Sequence, residues 1–174
     1  MDTLKTFSPS KLTLTLFTTW ALSIGLLTLG YSHWLDWQYN PNQIPHSKIL
    51  LSGEKQVTLK LNRYDHYVSS GTINGKNVDF LLDTGSTHIA LPAKLAEQLN
   101  LKLGEALHTE TANGSIEVFT TTLPSLTIGN IEFKNIIAAV NPYMTLDDEV
   151  LLGMSVLKQL DFAQKNGELV LTQS

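Results

Sequence analysis

The chain contains no cysteine, which excludes a disulfide framework and any thiol nucleophile while leaving the redox compartment open. Charge is scarce. Asp, Glu, Lys and Arg make up 16% of the residues, against roughly 25% in ordinary globular domains. The deficit lies in the first quarter, where no Asp, Glu, Lys, Arg or His side chain occurs between Lys11 and His33. A glycine-rich phosphate loop is missing, so nothing points to P-loop nucleotide chemistry. The five histidines, His33, His46, His66, His88 and His108, never fall three or four apart, so no helical zinc-ligand pair exists. With Asp2, Lys5 and Lys11 set aside, acids still outnumber bases, which disfavours a nucleic-acid partner.

The uncharged run is itself informative. Residues 12–32 form a stretch of about the length that crosses a hydrocarbon core as a helix. Thr13, Thr15, Thr18, Thr19 and Thr28 lower its hydrophobicity, and a helix tolerates them because each hydroxyl can bond to a carbonyl one turn earlier. The run is too long for a signal-peptide core and leads into Gly30-Tyr31-Ser32-His33-Trp34, a poor cleavage site. It also lacks the polar stripe of a buried core helix. Tyr31, Trp34, Trp37 and Tyr39 follow it as interfacial aromatics do. Lys5 and Lys11 precede the run and no Lys or Arg follows until Lys48. The positive-inside rule then places the N-terminus in the cytoplasm and the rest on the non-cytoplasmic, periplasmic side. The expected organisation is a cytoplasmic tail over 1–11, a transmembrane anchor over 12–35, a linker of low structure over 36–56 and a folded domain over 57–174.

From residue 57 the pattern becomes short strands broken by turns. Residues 57–61 alternate with period two. Asn74-Gly75 separates apolar runs at 71–73 and 78–82, and Asn-Gly in that setting is a strong hairpin signal. Residues 89–91 form a short strand, and 93–101 have the spacing of a short amphipathic helix. A second Asn-Gly, Asn113-Gly114, sits in a hairpin over 109–119 that carries few large apolar residues before its turn and is therefore expected to be exposed. Residues 123–128 and 131–140 flank Gly129-Asn130 as a third hairpin. An apolar run ends at Gly153, a short helix is expected over 154–160, and Asn166-Gly167 turns the chain into a last strand at 169–171.

Within this frame Phe80-Leu81-Leu82-Asp83-Thr84-Gly85-Ser86 stands out. A buried strand runs straight into an aspartate, and glycine permits the sharp turn that follows. A carboxylate there is costly unless it is hydrogen-bonded. Thr84 and Ser86 supply hydroxyls and the turn supplies backbone N–H groups. An ionisable group so held is a candidate for chemistry, although an Asx-type turn closing a strand would use the same residues. His88 reads as a solvent-side strand residue. Asp147-Asp148-Glu149 lacks calcium-loop spacing and reads as a solvated acidic loop. Asn113-Gly114-Ser115 is a formal glycosylation sequon that reads as turn chemistry.

Taken together, Gly71-Thr72-Ile73-Asn74-Gly75, the Asp83 segment, Ile89-Ala90-Leu91-Pro92, Thr111-Ala112-Asn113-Gly114, Leu126-Thr127-Ile128-Gly129 and Leu151-Leu152-Gly153-Met154-Ser155 resemble, in order and spacing, the retropepsin-like aspartic proteases, in particular bacterial membrane-anchored members. The resemblance implies an all-β acid-protease barrel with two short helices, preceded here by the transmembrane helix. It implies that Asp83 is the catalytic aspartate and that the Thr84 hydroxyl braces the loop. It makes Gly85 the point of close approach between two such loops, with Ser86 supporting the turn and Gly153 as the buttress where the second motif crosses under the first. Ala112, Asn113 and Gly114 would form the tip of a flap over a polypeptide substrate. No metal and no cofactor is implied. Only one Asp-Thr-Gly is present, so a homodimer is expected to bring two copies together. The competing readings are a membrane-tethered peptide-binding module on the same fold and a structural protein whose barrel only self-associates.

Overall fold

The computed structural model describes residues 11–111, 114–145 and 149–174, in two compact units that meet between Trp37 and Gln38. The first is carried by α1, Lys11–Tyr39, a helix of 29 residues. At 1.5 Å per residue it is about 43 Å long, more than the ~30 Å of a hydrocarbon core. None of its residues is buried, and it is long and apolar enough to cross a membrane. The threonines behave as their position in a helix demands: Thr15 donates to the Lys11 carbonyl at 2.8 Å, Thr19 to Thr15 at 2.6 Å and Thr28 to Ile24 at 2.8 Å. Tyr31 and Trp34 pack with ring centroids 5.7 Å apart. The helix passes the expected end at 35 and stops where Asn40 precedes Pro41, because a residue before proline is driven out of the helical region.

The second unit begins at Gln38, well ahead of residue 57. The segment read as a linker is built into the fold. Asn40 and Asn42 are 2% and 4% exposed. The Asn42 side chain donates to the carbonyls of Lys60 at 2.9 Å and Val68 at 2.7 Å and accepts from the Lys60 N–H at 2.7 Å. Asn40 donates to Asp79 and to Ser70, each at 2.9 Å. An asparagine offers both donors and an acceptor, so it can stand in for a neighbouring strand. That capacity turns a polar, proline-containing stretch into buried structure.

The strands are β1 His46–Ile49, β2 Lys55–Lys60, β3 Val68–Ile73, β4 Lys76–Leu82, β5 Ile89–Pro92, β6 Ala106–Thr111, β7 Gly114–Ile128, β8 Ile131–Asn141, β9 Glu149–Leu152, β10 Asp161–Lys165 and β11 Glu168–Gln173, with α2 Ala93–Gln98 and α3 Met154–Leu157 between them. One sheet has the order β1-β2-β11-β10 and the other β3-β4-β9-β5-β8-β7-β6. Because β3 also pairs with β7, Thr72 opposite Thr127 and Ile73 opposite Leu126, six strands close into a ring and β6 hangs outside β7. This is the expected all-β barrel with two short helices. Its core is lined by alternating residues such as Val57 and Leu59 of β2, Phe80 of β4, Leu91 of β5, Leu126 and Ile128 of β7 and Leu152 of β9, all essentially inaccessible.

The Asn-Gly turns form as their chemistry requires. Asn74 and Gly75 take φ of 52° and 78°, and Asn166 and Gly167 take 54° and 77°, the positive pair of a two-residue hairpin turn. Three details differ from the sequence expectation. The strand β7 is continuous through Pro124, opposite Asn135, which takes a positive φ of 53°. The helix α2 ends at Gln98 because Asn100 turns left-handed at φ 52° and the Leu101 N–H closes onto the Ala96 carbonyl. The third helix, α3, regular only to Leu157, continues to Leu160 through single turns.

Candidate active site

The site is built where β4 and β9 end side by side. They run parallel, Phe80 beside Val150 and Leu82 beside Leu152, and the Asp83 N–H prolongs the ladder by donating to the Leu152 carbonyl at 3.1 Å. Side chains alternate along β4, so Val78 and Phe80 enter the core while Asp79, Leu81 and Asp83 take the other face. The Asp83 carboxyl is half-buried, and its Oδ1 accepts the Gly85 N–H at 2.8 Å. A Cβ on Gly85 would lie 3.1 Å from that same oxygen. The turn closes with the Ser86 N–H on the Asp83 carbonyl at 3.3 Å and the Ser86 hydroxyl on the His88 carbonyl at 2.8 Å. A carboxylate is thus fixed by short local bonds and keeps open lone pairs.

Beneath the turn passes the second motif. Met154 N–H donates to the Ser86 carbonyl at 2.8 Å and Ser155 N–H to the Thr87 carbonyl at 2.9 Å. At the crossing, a Cβ on Gly153 would fall 2.4 Å from the His88 carbonyl oxygen and 2.7 Å from that of Ser86. Glycine is required here by space, since its φ of −87° is open to any residue. Sequence motifs 70 positions apart, Asp83 and Gly153, are therefore joined in one hydrogen-bonded loop.

Asp83 and Thr84 open onto a cavity of about 530 Å³ lined also by Leu61, Asp65, Tyr67 and Phe162. Thr84 is exposed there; His88 is exposed too, but it lies in the bend just ahead of β5 and not within a strand as expected. Sequence reasoning did not single out Asp65, Tyr67 or Phe162; they come from a turn and from an edge strand, and no spacing rule links them to Asp83. The Tyr67 hydroxyl is buried without a hydrogen-bond partner.

The hairpin β6–β7 pairs from Ala106 opposite Phe119 to Thr111 opposite Gly114, and Gly114 has φ 107°. Ala112 and Asn113, expected at its tip, lie outside the described residues, as do Asp147 and Asp148. Residues 106–110 are exposed, Leu107 among them at 49%, so the exposure expected ahead of the Asn113-Gly114 turn extends back to the start of β6. Glu149 departs from its expected place in a solvated loop: it opens β9 and is 7% exposed, because pairing with β4 draws it into the sheet. Burial pushes its carboxyl above the ordinary range. Among the described residues no cluster of three or more His, Asp or Glu side chains could hold a metal ion.

Comparison with known proteins agrees with this geometry. The family model for gag-polyprotein putative aspartyl proteases matches residues 69–159, which span β3 to the turns after α3. The crystal structure of a retropepsin-like aspartic protease from Rickettsia conorii superposes with a TM-score of 0.58 at 30% identity, covering 74% of this chain and 95% of that one. Two uncharacterized proteins are similar in sequence. One, from the cobV 5' region of a Sinorhizobium species, is 35% identical over 115 residues, 64% of this chain and 49% of its own. The other, from Rickettsia prowazekii (strain Madrid E), is 28% identical over 149 residues, 80% of this chain and 62% of its own. The chain thus spans about half to three fifths of the length of these relatives.

Proposed function

We propose, from the premise that this chain belongs to the retropepsin-like aspartic protease family, that it is a membrane-anchored endopeptidase working as a homodimer. The observation that carries this reading is the Asp83 carboxyl, fixed by the Gly85 N–H at 2.8 Å and facing an open cavity. Peptide hydrolysis of this type needs two carboxylates about 3 Å apart sharing one proton. One chain supplies one such loop, and a two-fold axis beside Asp83 would supply the other. The ionised member takes a proton from a water, the water attacks the peptide carbonyl, and the protonated member hydrogen-bonds the developing oxyanion. Thr84, Gly85 and Ser86 hold the loop, Gly153 supports it from below, and Ala112, Asn113 and Gly114 close over an extended substrate. The helix α1 tethers the enzyme, with Lys5 and Lys11 inside and the barrel on the periplasmic side. A reporter active only outside the cytoplasm, fused after Ser174, checks that orientation.

The decisive experiment uses the full chain in detergent with a peptide library. The Asp83→Asn variant should fold and pair while hydrolysis falls by about a thousandfold or more. In an equal mixture of wild type and variant, after subunit exchange, random pairing leaves roughly a quarter of dimers with two aspartates. Activity per wild-type chain should then fall by about half. Activity strictly proportional to wild-type content would instead favour a partner within the chain. Asp65, which lines the same cavity, is then the residue to change. Peptide binding without hydrolysis in both proteins would establish the binding-module reading.

A further inference from the structure

Glu149 is a buried carboxyl that the hydrolytic chemistry leaves unused. It is 7% exposed, and its Oε2 has neither solvent contact nor a hydrogen-bond partner. Its strand is short and consequential. Three residues on, the Leu152 carbonyl receives the Asp83 N–H, and the next residue is Gly153 beneath the catalytic loop. Whatever loosens the start of β9 therefore loosens what holds Asp83.

Among the described residues, none on the neighbouring strands gives the buried Glu149 Oε2 a hydrogen-bond partner. On β4 its register partner is Asp79, whose Oδ1 is taken up by Ser70 at 2.6 Å and Asn40 at 2.9 Å. On the other side β5 contributes Ile89, Ala90, Leu91 and Pro92, none ionisable. The helix that follows β5, α2, carries Lys94 and Glu97, and it is burial that raises the Glu149 carboxyl. An ionised Glu149 would be an unpaired buried charge facing another acid, a state strongly disfavoured in a protein interior.

We propose that Glu149 is a positioning residue that lets β9 pack against β4 only while it is uncharged, so that the catalytic loop is braced when Glu149 is neutral and released when it ionises. The sign follows from linkage. A carboxyl whose folded-state pKa is raised binds its proton more tightly in the folded chain. Its stabilising effect is full below the unfolded value and is lost as pH rises through the folded value. The effect on hydrolysis rests on the peptidase reading above; the effect on stability does not.

The test compares thermal unfolding of the full chain in detergent, as a function of pH, for wild type and Glu149→Gln. Glutamine keeps the shape and cannot ionise. The wild-type melting temperature should fall relative to the variant as pH rises above the ordinary carboxylate range, so that the two curves diverge towards neutral pH with the variant higher. Parallel curves would overturn the proposal, because a merely structural glutamate shifts stability equally at all pH. Should Glu149→Gln fail to fold, amide protection in the wild type decides. The Asp83 N–H, corrected for intrinsic exchange, should lose protection over the same window while amides of β11 hold theirs, and uniform protection would sink the idea. In the enzyme the alkaline limb of the pH–rate profile should move to higher pH in Glu149→Gln. Diverging melting curves with no hydrolysis of any peptide would leave the positioning role standing and remove the peptidase reading.

Discussion

Two sides of the barrel are built to different standards. On the side of β3, β4 and β9, two described segments are tied down: the 40–42 segment by asparagine side chains, the Asp83 turn by Gly85, Ser86, Met154 and Ser155. On the side of β6, one strand is paired along one edge only, with residues 106–110 exposed. Local stability follows such differences in burial and bonding. The tied side carries the carboxylate, whose position tolerates little error, while the untied side carries the hairpin expected to admit and release a peptide. The contrast teaches that the Asp83 turn is held by a closed set of short hydrogen bonds, whereas β6 is held along a single edge.

The strongest way to break the contrast is Gly153→Ala. With backbone oxygens at 2.4 and 2.7 Å from the new Cβ, neither wall can yield cheaply, and a loss of about 3 kcal/mol is expected, read by chemical denaturation, together with loss of amide protection in the Asp83 turn. Next is Asn42→Ala. It removes three side-chain bonds to Lys60 and Val68 and strands buried backbone groups, which should cost about 2–3 kcal/mol, whereas a true linker would register nothing. The smallest effect is Leu107→Ala on β6. Leu107 is 49% exposed, so stability should change by less than about 0.5 kcal/mol, while KM for peptide rises if the hairpin covers substrate. A Leu107→Ala variant as unstable as Asn42→Ala would erase the distinction between the sides.

What could be read in the sequence was whatever depends on local chemistry. Asp83-Thr84-Gly85 announces a strand that stops at a bonded turn, Asn74-Gly75 and Asn166-Gly167 announce two-residue hairpins, and the uncharged run announces α1. The clasp of Asn40 and Asn42 was not legible, because a side chain that replaces a strand partner leaves no period and looks like loop composition. Glu149 was hidden by its neighbours: next to Asp147 and Asp148 it reads as solvent-facing, and only the long-range pairing with β4 buries it. Continuity of β7 through Pro124 was obscured by the usual meaning of proline in a strand. Asp65 and Tyr67 reach the cavity through tertiary placement alone.

The insertion of β9 between β4 and β5 has a consequence for how the protein comes into being. Its parallel partner β4 is made long before it, and the ring cannot close around a strand that has not yet been synthesised. Pairings so distant along the chain form late and make folding slow. A nascent polypeptide leaving the ribosome N-terminus first carries the Asp83 turn without its floor until residue 153 has emerged. The order of translation thus acts as a timer, leaving the Asp83 turn unbraced until the chain is nearly complete.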